Sequence, residues 1–185
     1  KSTLAKMLAS HLCYKHINTG SMYRAITLYA LRNGWIKDLA NDSFIVDYKK
    51  INSVIDDLNF DFRLNLENHC SLFLNGEDIN HEIKGKLVSK YVSKVSLDSD
   101  IRFKIVSLQR DIARLSDIVM EGRDIASVVF PNADIKLFIT ASIEVRSKRR
   151  YNEMLDMGLR VNYEDVYSNL CYRDKSDTSR KSSPL

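Results

Sequence analysis

The run Glu121-Gly122-Arg123-Asp124-Ile125 stands directly behind the apolar stretch that begins at Asp117 and continues Ile118-Val119-Met120. Uninterrupted apolar residues there read as a buried strand. Charged residues at the carboxyl end of such a strand sit where an open α/β sheet keeps its ligand crevice. The run therefore places two carboxylates and a guanidinium at one point of a sheet. Alone, it fits a structural ion pair closing the strand just as well. Three other segments give it chemical weight: Lys1-Ser2-Thr3 at the start, Asn18-Thr19-Gly20-Ser21-Met22-Tyr23-Arg24, and Arg173-Asp174-Lys175-Ser176-Asp177-Thr178-Ser179-Arg180. Together they point to the handling of phosphate.

A chain of 185 residues with 44% hydrophobic composition can build one ordinary core, so a single domain with insertions is expected over residues 1–185. Lys and Arg total 28 against 24 acidic residues, a formal charge of +4, which suits anionic partners without choosing between nucleotides and nucleic acid. Cys13, Cys70 and Cys171 lie far apart, with neither metal-ligand spacing nor a secreted disulfide pattern, and a reducing cytoplasm is the simplest setting. No apolar run approaches the roughly 20 residues that cross a bilayer, so no membrane partner is expected. The first residue is Lys rather than Met, and natural residues are expected upstream of it.

Leu4, Met7, Leu8 and Leu12 recur at helical spacing and predict a helix over residues 2–12. Tyr14 to Asn18 reads as a short strand. Thr19 or Ser21 then caps a second helix carrying Met22, Ile26, Tyr29 and Arg32, which Asn33-Gly34 ends. Phe60, Phe62, Leu64 and Leu66 alternate with Asp61, Arg63, Asn65 and Glu67, the period of a half-buried antiparallel strand. Leu72-Phe73-Leu74 meets Asn75-Gly76, a preferred tight hairpin turn. From Ile83 to Leu115 the pattern is helical, with Ile105, Leu108, Ile112 and Leu115 on one face. Ile118 to Met120 and Ile135 to Thr140 read as parallel strands covered on both sides. Ser142 caps a further helix bearing Arg146, Lys148, Arg149 and Arg150. Gly158 breaks it, and Tyr163, Val166, Tyr167 and Leu170 mark the last helix.

Lys1-Ser2-Thr3 ahead of a helix is what remains of G-x-x-x-x-G-K-[ST] when the glycines lie upstream. In that motif backbone N–H groups surround phosphate oxygens, the Lys neutralises β and γ charge, and the hydroxyl holds Mg²⁺. Three residues opening an ordinary helix is the bland alternative. Glu121 is placed for the Mg²⁺ water shell or the phosphate loop, or else for pairing with Arg123.

In this order the segments resemble the bacterial cytidylate kinases, nucleoside monophosphate kinases of the P-loop class. The resemblance spans nearly the whole chain: Lys1-Ser2-Thr3, the T-G-x-M-Y-R run at Thr19 to Arg24, the hairpin with Asn75-Gly76-Glu77-Asp78-Ile79, the E-G-R-D-I run, Val128-Val129-Phe130-Pro131, Arg149-Arg150 and the closing stretch from Arg173 to Leu185. It implies an α/β fold: a three-layer P-loop core with a parallel sheet, a small antiparallel β insert that binds the acceptor (58–92) and a helical lid (147–162). It also implies that both ends are truncated. Lacking the glycine loop, the isolated 185 residues are expected to fold but be inert, unlike the parent protein. The implied activity is transfer of the ATP γ-phosphoryl group to CMP or dCMP, with Mg²⁺, by a cytoplasmic monomer.

By position, the resemblance assigns Lys1 to the ATP phosphates, Ser2 to Mg²⁺ together with Glu121, and Thr3 to a phosphate oxygen. Arg24 and Arg123 clamp the acceptor phosphate, and Thr19 supplies a small hydroxyl there. Ser93, Arg102 and Asp124 read cytosine. Arg173, Asp177 and Arg180 face the sugar. Arg146, Arg149 and Arg150 belong to the lid over ATP, although a basic stripe on a helix is more often simply solvated. Asn18 replaces the family's usual Asp, Lys84-Gly85 an Arg-Thr pair, and Ala126-Ser127 a Gly-Thr pair. These changes bear on affinity and rate more than on reaction type. His11, His16, His69 and His81 have no ligand-like spacing and read as surface or partly buried residues. The rival readings are a P-loop kinase for UMP or another small acceptor, and a basic nucleic-acid-binding domain. The latter expects a continuous basic face with interleaved aromatics, whereas the arginines here stand singly beside acids.

Overall fold

The apolar spacing at the start of the chain forms α1 (Ser2–Leu12), which ends where Cys13 turns left-handed at φ 57°. Tyr14 N–H donates to the Ala9 carbonyl at 2.9 Å and Cys13 N–H to Ser10 at 3.3 Å, so the last turn is closed by backbone. The chain then reverses into β1 (Lys15–Asn18) and runs straight into α2 (Thr19–Arg32). The computed structural model describes residues 1–39, 44–64, 70–114 and 116–179. The expected strand residues 65–67, Leu115 and the tail from Arg180 to Leu185 lie outside the described residues.

Asn18, rather than Thr19 or Ser21, occupies the cap position of α2, and it makes no side-chain cap bond. The Ser21 hydroxyl instead donates to the Asn18 carbonyl at 2.5 Å. Gly34, at φ 68°, turns the chain after α2 as its sequence position requires. An antiparallel pair that the alternation did not reveal follows: β2 (Ile36–Asp38) with β3 (Phe44–Val46). α3 (Tyr48–Val54) begins at Asp47, whose carboxylate accepts from Lys50 N–H at 3.1 Å.

The antiparallel insert forms as its alternation predicts. β4 (Phe60–Leu64) pairs with β5 (Cys70–Leu74), and the Asn75-Gly76 turn returns the chain into β6 (Glu77–Asp78). Asn75 at φ 51° and Gly76 at φ 85° give the two left-handed residues this turn needs. Phe60 and Phe62 are buried, while Arg63 and Asp61 pair on the other face at 2.6 Å.

The helical pattern from Ile83 to Leu115 resolves into three pieces: a short 3₁₀ turn at Glu82–Lys84, α4 (Lys86–Val95) and α5 (Ser99–Ala113). The break has a local cause. The Asp98 carboxylate accepts from Asp100 N–H at 3.1 Å and Ile101 N–H at 2.9 Å, capping a new helix. β7 (Ile118–Glu121) pairs in parallel with β1, Lys15 opposite Ile118 and Asn18 opposite Glu121. The buried face of α2 (Met22, Ala25, Ile26, Ala30) joins Ile17, Tyr91, Val95, Ile101 and Ile105 in one core.

The chain divides into two compact units, Lys1–Pro131 and Asn132–Leu185. In the second, α6 (Ile143–Asp156) starts at Ser142, whose hydroxyl accepts from Val145 N–H at 3.4 Å. It ends before Gly158 at φ 75°. α7 (Tyr163–Ser179) packs on α6 and continues through the Arg173 segment. The strand expected at Ile135 to Thr140 does not form. Ile135, Leu137, Phe138 and Ile139 are 77%, 65%, 79% and 44% exposed, and among the described residues no strand pairs with them. Apolar sequence supplies strand propensity, but a strand persists only through its ladder bonds. Among the described residues no helix is long and apolar enough to cross a membrane.

Candidate active site

β1 and β7 end side by side, with Glu121 opposite Asn18, and the side chains at this corner meet at Glu121 and Gly122. Ser2, in the first turn of α1, donates from Oγ to Glu121 Oε2 at 2.8 Å. Thr19, in the first turn of α2, donates from Oγ1 to the Glu121 carbonyl at 3.0 Å. Lys1 Nζ donates to the Gly122 carbonyl at 2.9 Å. Among the described residues neither helix carries a side-chain cap bond at its start, and both N-termini reach Glu121. Helix N-termini of this kind attract phosphate, and Lys1 adds positive charge.

Position 122 admits only glycine. A Cβ there would meet Thr19 Oγ1 and lie 2.6 Å from Ile125 Cδ1. The absence of a side chain lets α2 approach the end of β7. Burial pushes the Glu121 carboxyl up, but hydrogen bonds from His16 and Ser2 and the nearby Lys1 charge outweigh it, and the net shift is downward. Glu121 is thus a buried, ionised carboxylate facing a hydroxyl.

Three residues further on, Asp124 is 6% exposed and accepts through Oδ2 from Nη2 of Arg102, itself 3% exposed on α5. Arg102 Nη1 also donates to the Ser96 carbonyl at 3.2 Å, and its guanidinium lies 5.5 Å from the centre of the Tyr23 ring. Among the described residues Arg102 Nε is buried without a hydrogen-bond partner. A buried donor in this condition is costly unless something else supplies an acceptor. Arg24, half-buried on α2, donates from Nη1 to the Ile83 carbonyl at 2.8 Å and to Ser89 Oγ at 3.1 Å, joining α2 to the start of α4. Ser93 is half-buried on α4.

Between Asp124 and Pro131 the chain makes a single π-helical turn, Ile125–Val129. Arg110 of α5 holds this turn by donating to the Val129 carbonyl at 3.0 Å and the Val128 carbonyl at 2.6 Å. Such turns disturb regular bonding and recur at functional sites. Half-buried Arg123 lies in the bend between β7 and this turn.

The remaining expected residues belong to the second unit. Arg146 donates to Asp174 Oδ2 at 2.5 Å and to the Ala141 carbonyl at 2.9 Å, fastening α6 to α7. Arg150 donates to Glu153 at 2.9 Å, and Arg149 is exposed on the same helix. Arg173 and Asp177 are half-buried and one turn apart on α7, as expected for a helical segment. Arg180 falls outside the described residues.

Sequence reasoning missed two participants. His16 is 7% exposed and its Nε2 lies 3.1 Å from Glu121 Oε1, although the two are 105 residues apart. Tyr23, 8% exposed, supplies the ring beside Arg102. Tyr23 sits inside the T-G-x-M-Y-R run and was open to notice there. For His16 no motif offered a signal, because its role depends on the pairing of β1 with β7.

A parallel strand pair flanked by helices, with a lysine, a hydroxyl and an ionised carboxylate at the strand ends, defines a mixed α/β protein of the P-loop kinase type. The family description for cytidylate kinase matches residues 1–185. The cytidylate kinase of Flavobacterium johnsoniae is 41% identical over 187 residues, covering 100% of this chain and 79% of the relative. That of Flavobacterium psychrophilum is 42% identical over 186 residues, covering 100% and 80%. That of Parabacteroides distasonis is 41% identical over 186 residues, covering 100% and 79%. This chain belongs to the cytidylate kinase family.

Proposed function

We propose that the chain transfers the γ-phosphoryl group of ATP to the phosphate of CMP or dCMP, giving CDP or dCDP and ADP. The observation that carries this is the convergence of Lys1, Ser2 and Thr19 on Glu121-Gly122, three residues from the buried Asp124–Arg102 pair. One end suits phosphate and the other suits a base.

Two polyanions must approach in line, and the acceptor phosphate is already ionised. No general base is required, so positioning and charge neutralisation supply most of the catalysis. Lys1 meets the ATP phosphates with Thr3, and Arg24 and Arg123 hold the acceptor phosphate beside Thr19. Guanidinium suits this because its planar fork binds phosphate oxygens and stays charged. Arg146, Arg149 and Arg150 cover ATP, and closure over it excludes water. Arg173, Asp177 and Arg180 hold the sugar.

Asp124 accepts from the exocyclic amine of cytosine, with Arg102 and Ser93 alongside. The partnerless Arg102 Nε supports this, since cytosine carries acceptors next to its amine. Uracil presents a carbonyl at the amine position, acceptor against acceptor.

Ser2 Oγ and Glu121 fit Mg²⁺: they are oxygen donors, one is ionised, and a site of few protein ligands completed by water and substrate phosphates is what this ion takes. Bound there, Mg²⁺ would neutralise charge on the transferring phosphates. The chain acts as a cytoplasmic monomer on free nucleotides. Steady-state assays of ADP formation by the parent protein with CMP, dCMP, UMP and AMP test the reading. Rapid turnover of CMP and dCMP is expected, and equal use of UMP overturns the specificity.

A further inference from the structure

His16 lies on β1, opposite Val119 in the register, and its side chain is 9% exposed against 6% for Glu121. Its Nε2 stands 3.1 Å from Glu121 Oε1, while Ser2 Oγ stands 2.8 Å from Oε2. Each oxygen of one buried carboxylate thus has its own partner. The Glu121 backbone is held as well, its carbonyl accepting from Thr19 at 3.0 Å.

A carboxylate only accepts hydrogen bonds, so both partners must donate. His16 therefore carries a proton on Nε2. Ser2 has a single hydroxyl proton, and giving it to Oε2 leaves both lone pairs of Oγ facing away from Glu121. A hydroxyl so oriented is ready to bind a cation through those lone pairs. Rotation of the carboxylate would swing Oε2 away from Ser2 and free the hydroxyl rotor. The His16 bond to Oε1 opposes that rotation from the side opposite Ser2.

We propose that His16 is a positioning residue, whose Nε2–H locks the Glu121 carboxylate so that Glu121 in turn orients the Ser2 hydroxyl toward the metal-nucleotide. This rests on the reading above that Ser2 and Glu121 serve the Mg²⁺ of ATP. Outer partners of metal-site groups commonly change affinity or activity by about 10–100-fold when removed.

The experiment compares wild type, His16→Gln, His16→Leu and Glu121→Gln of the parent protein in steady-state kinetics with varied Mg·ATP and CMP. It also records the imidazole ¹⁵N shifts of His16 in metal-free wild-type protein. The leucine variant is expected to lose about tenfold or more in kcat, with KM for CMP unchanged. The glutamine variant, whose amide N–H can still reach Oε1, should recover most of that loss. The spectrum should show Nε2 protonated without any metal or substrate. Glutamine no better than leucine, or Nε2 without its proton, overturns the proposal. So does a leucine variant as fast as wild type while Glu121→Gln is slow, and that result leaves the Mg²⁺ reading standing. Glu121→Gln as fast as wild type removes the Mg²⁺ reading itself. If the leucine variant does not fold, His16→Ala supplies the baseline against which the glutamine recovery is judged.

Discussion

Asp124 and Arg102 are both more than nine-tenths buried and are bound directly to each other. A pair in that condition is costly to break from either side, because the survivor remains charged in a low dielectric. Replacing Asp124 by Ala should therefore lower the unfolding free energy by about 3–5 kcal/mol, readable by urea denaturation. Asp124→Asn asks a different question. It keeps an acceptor for Arg102 and offers a donor where the carboxylate had none. On the proposed reading of the site, cytosine then loses its best partner and uracil gains one. The ratio of kcat/KM for CMP to that for UMP should fall by about 10–100-fold, and competition assays with both nucleotides measure it directly.

At the scale of single elements, two joints hold the first unit in shape. The C-terminus of α1 turns through Cys13 at φ 57°, a conformation that costs a residue with a Cβ about 1–2 kcal/mol. Glycine removes that cost but adds freedom to the unfolded chain. Cys13→Gly should thus stabilise by about 0.5–1 kcal/mol net, seen as a higher Tm in scanning calorimetry. The second joint is Arg32 at the end of α2, which donates to both carboxylate oxygens of Glu77 at 2.7 and 2.8 Å and to Glu82 at 2.6 Å. It fastens the hairpin insert to the helix that carries Arg24. The hydrogen bonds from Arg32 hold the Glu77 carboxyl below its ordinary value. A depressed folded pKa gives stability above the unfolded value, and this is lost as pH falls through the folded one. Arg32→Met should lower Tm slightly at neutral pH, an exposed pair being weak, and the difference from wild type should vanish below the ordinary glutamate range. Thermal melts from pH 7 to pH 3 would show it.

For the whole molecule, the division into Lys1–Pro131 and Asn132–Leu185 locates the weakest stretch of chain. Residues 134–140 are exposed and carry no ladder bonds, whereas the chain on either side runs into helical structure. Limited trypsin digestion should cut first at Lys136, and intact-mass analysis should find two fragments meeting there. First cleavage inside α2 or α5 would contradict that ranking.

What could be known from the order of residues was whatever has a local period or a local motif. Helical spacing marked α1, α2 and α7, the Ser142 cap marked α6, alternation marked β4, and Asn75-Gly76 marked the turn between β5 and β6, because three or four neighbours decide those shapes. The residues that meet at the ends of β1 and β7, Lys1, Ser2, Thr19 and Glu121, were legible for the same reason, as short runs at strand and helix ends. The Asp98 cap that divides the long helical stretch is a local signal that the continued periodicity hid. Two features waited for tertiary structure. Ile135 to Thr140 stays unpaired, since a strand needs a neighbour that its own composition cannot supply. His16 meets Glu121 because the register of β1 against β7 brings together side chains that no sequence distance relates.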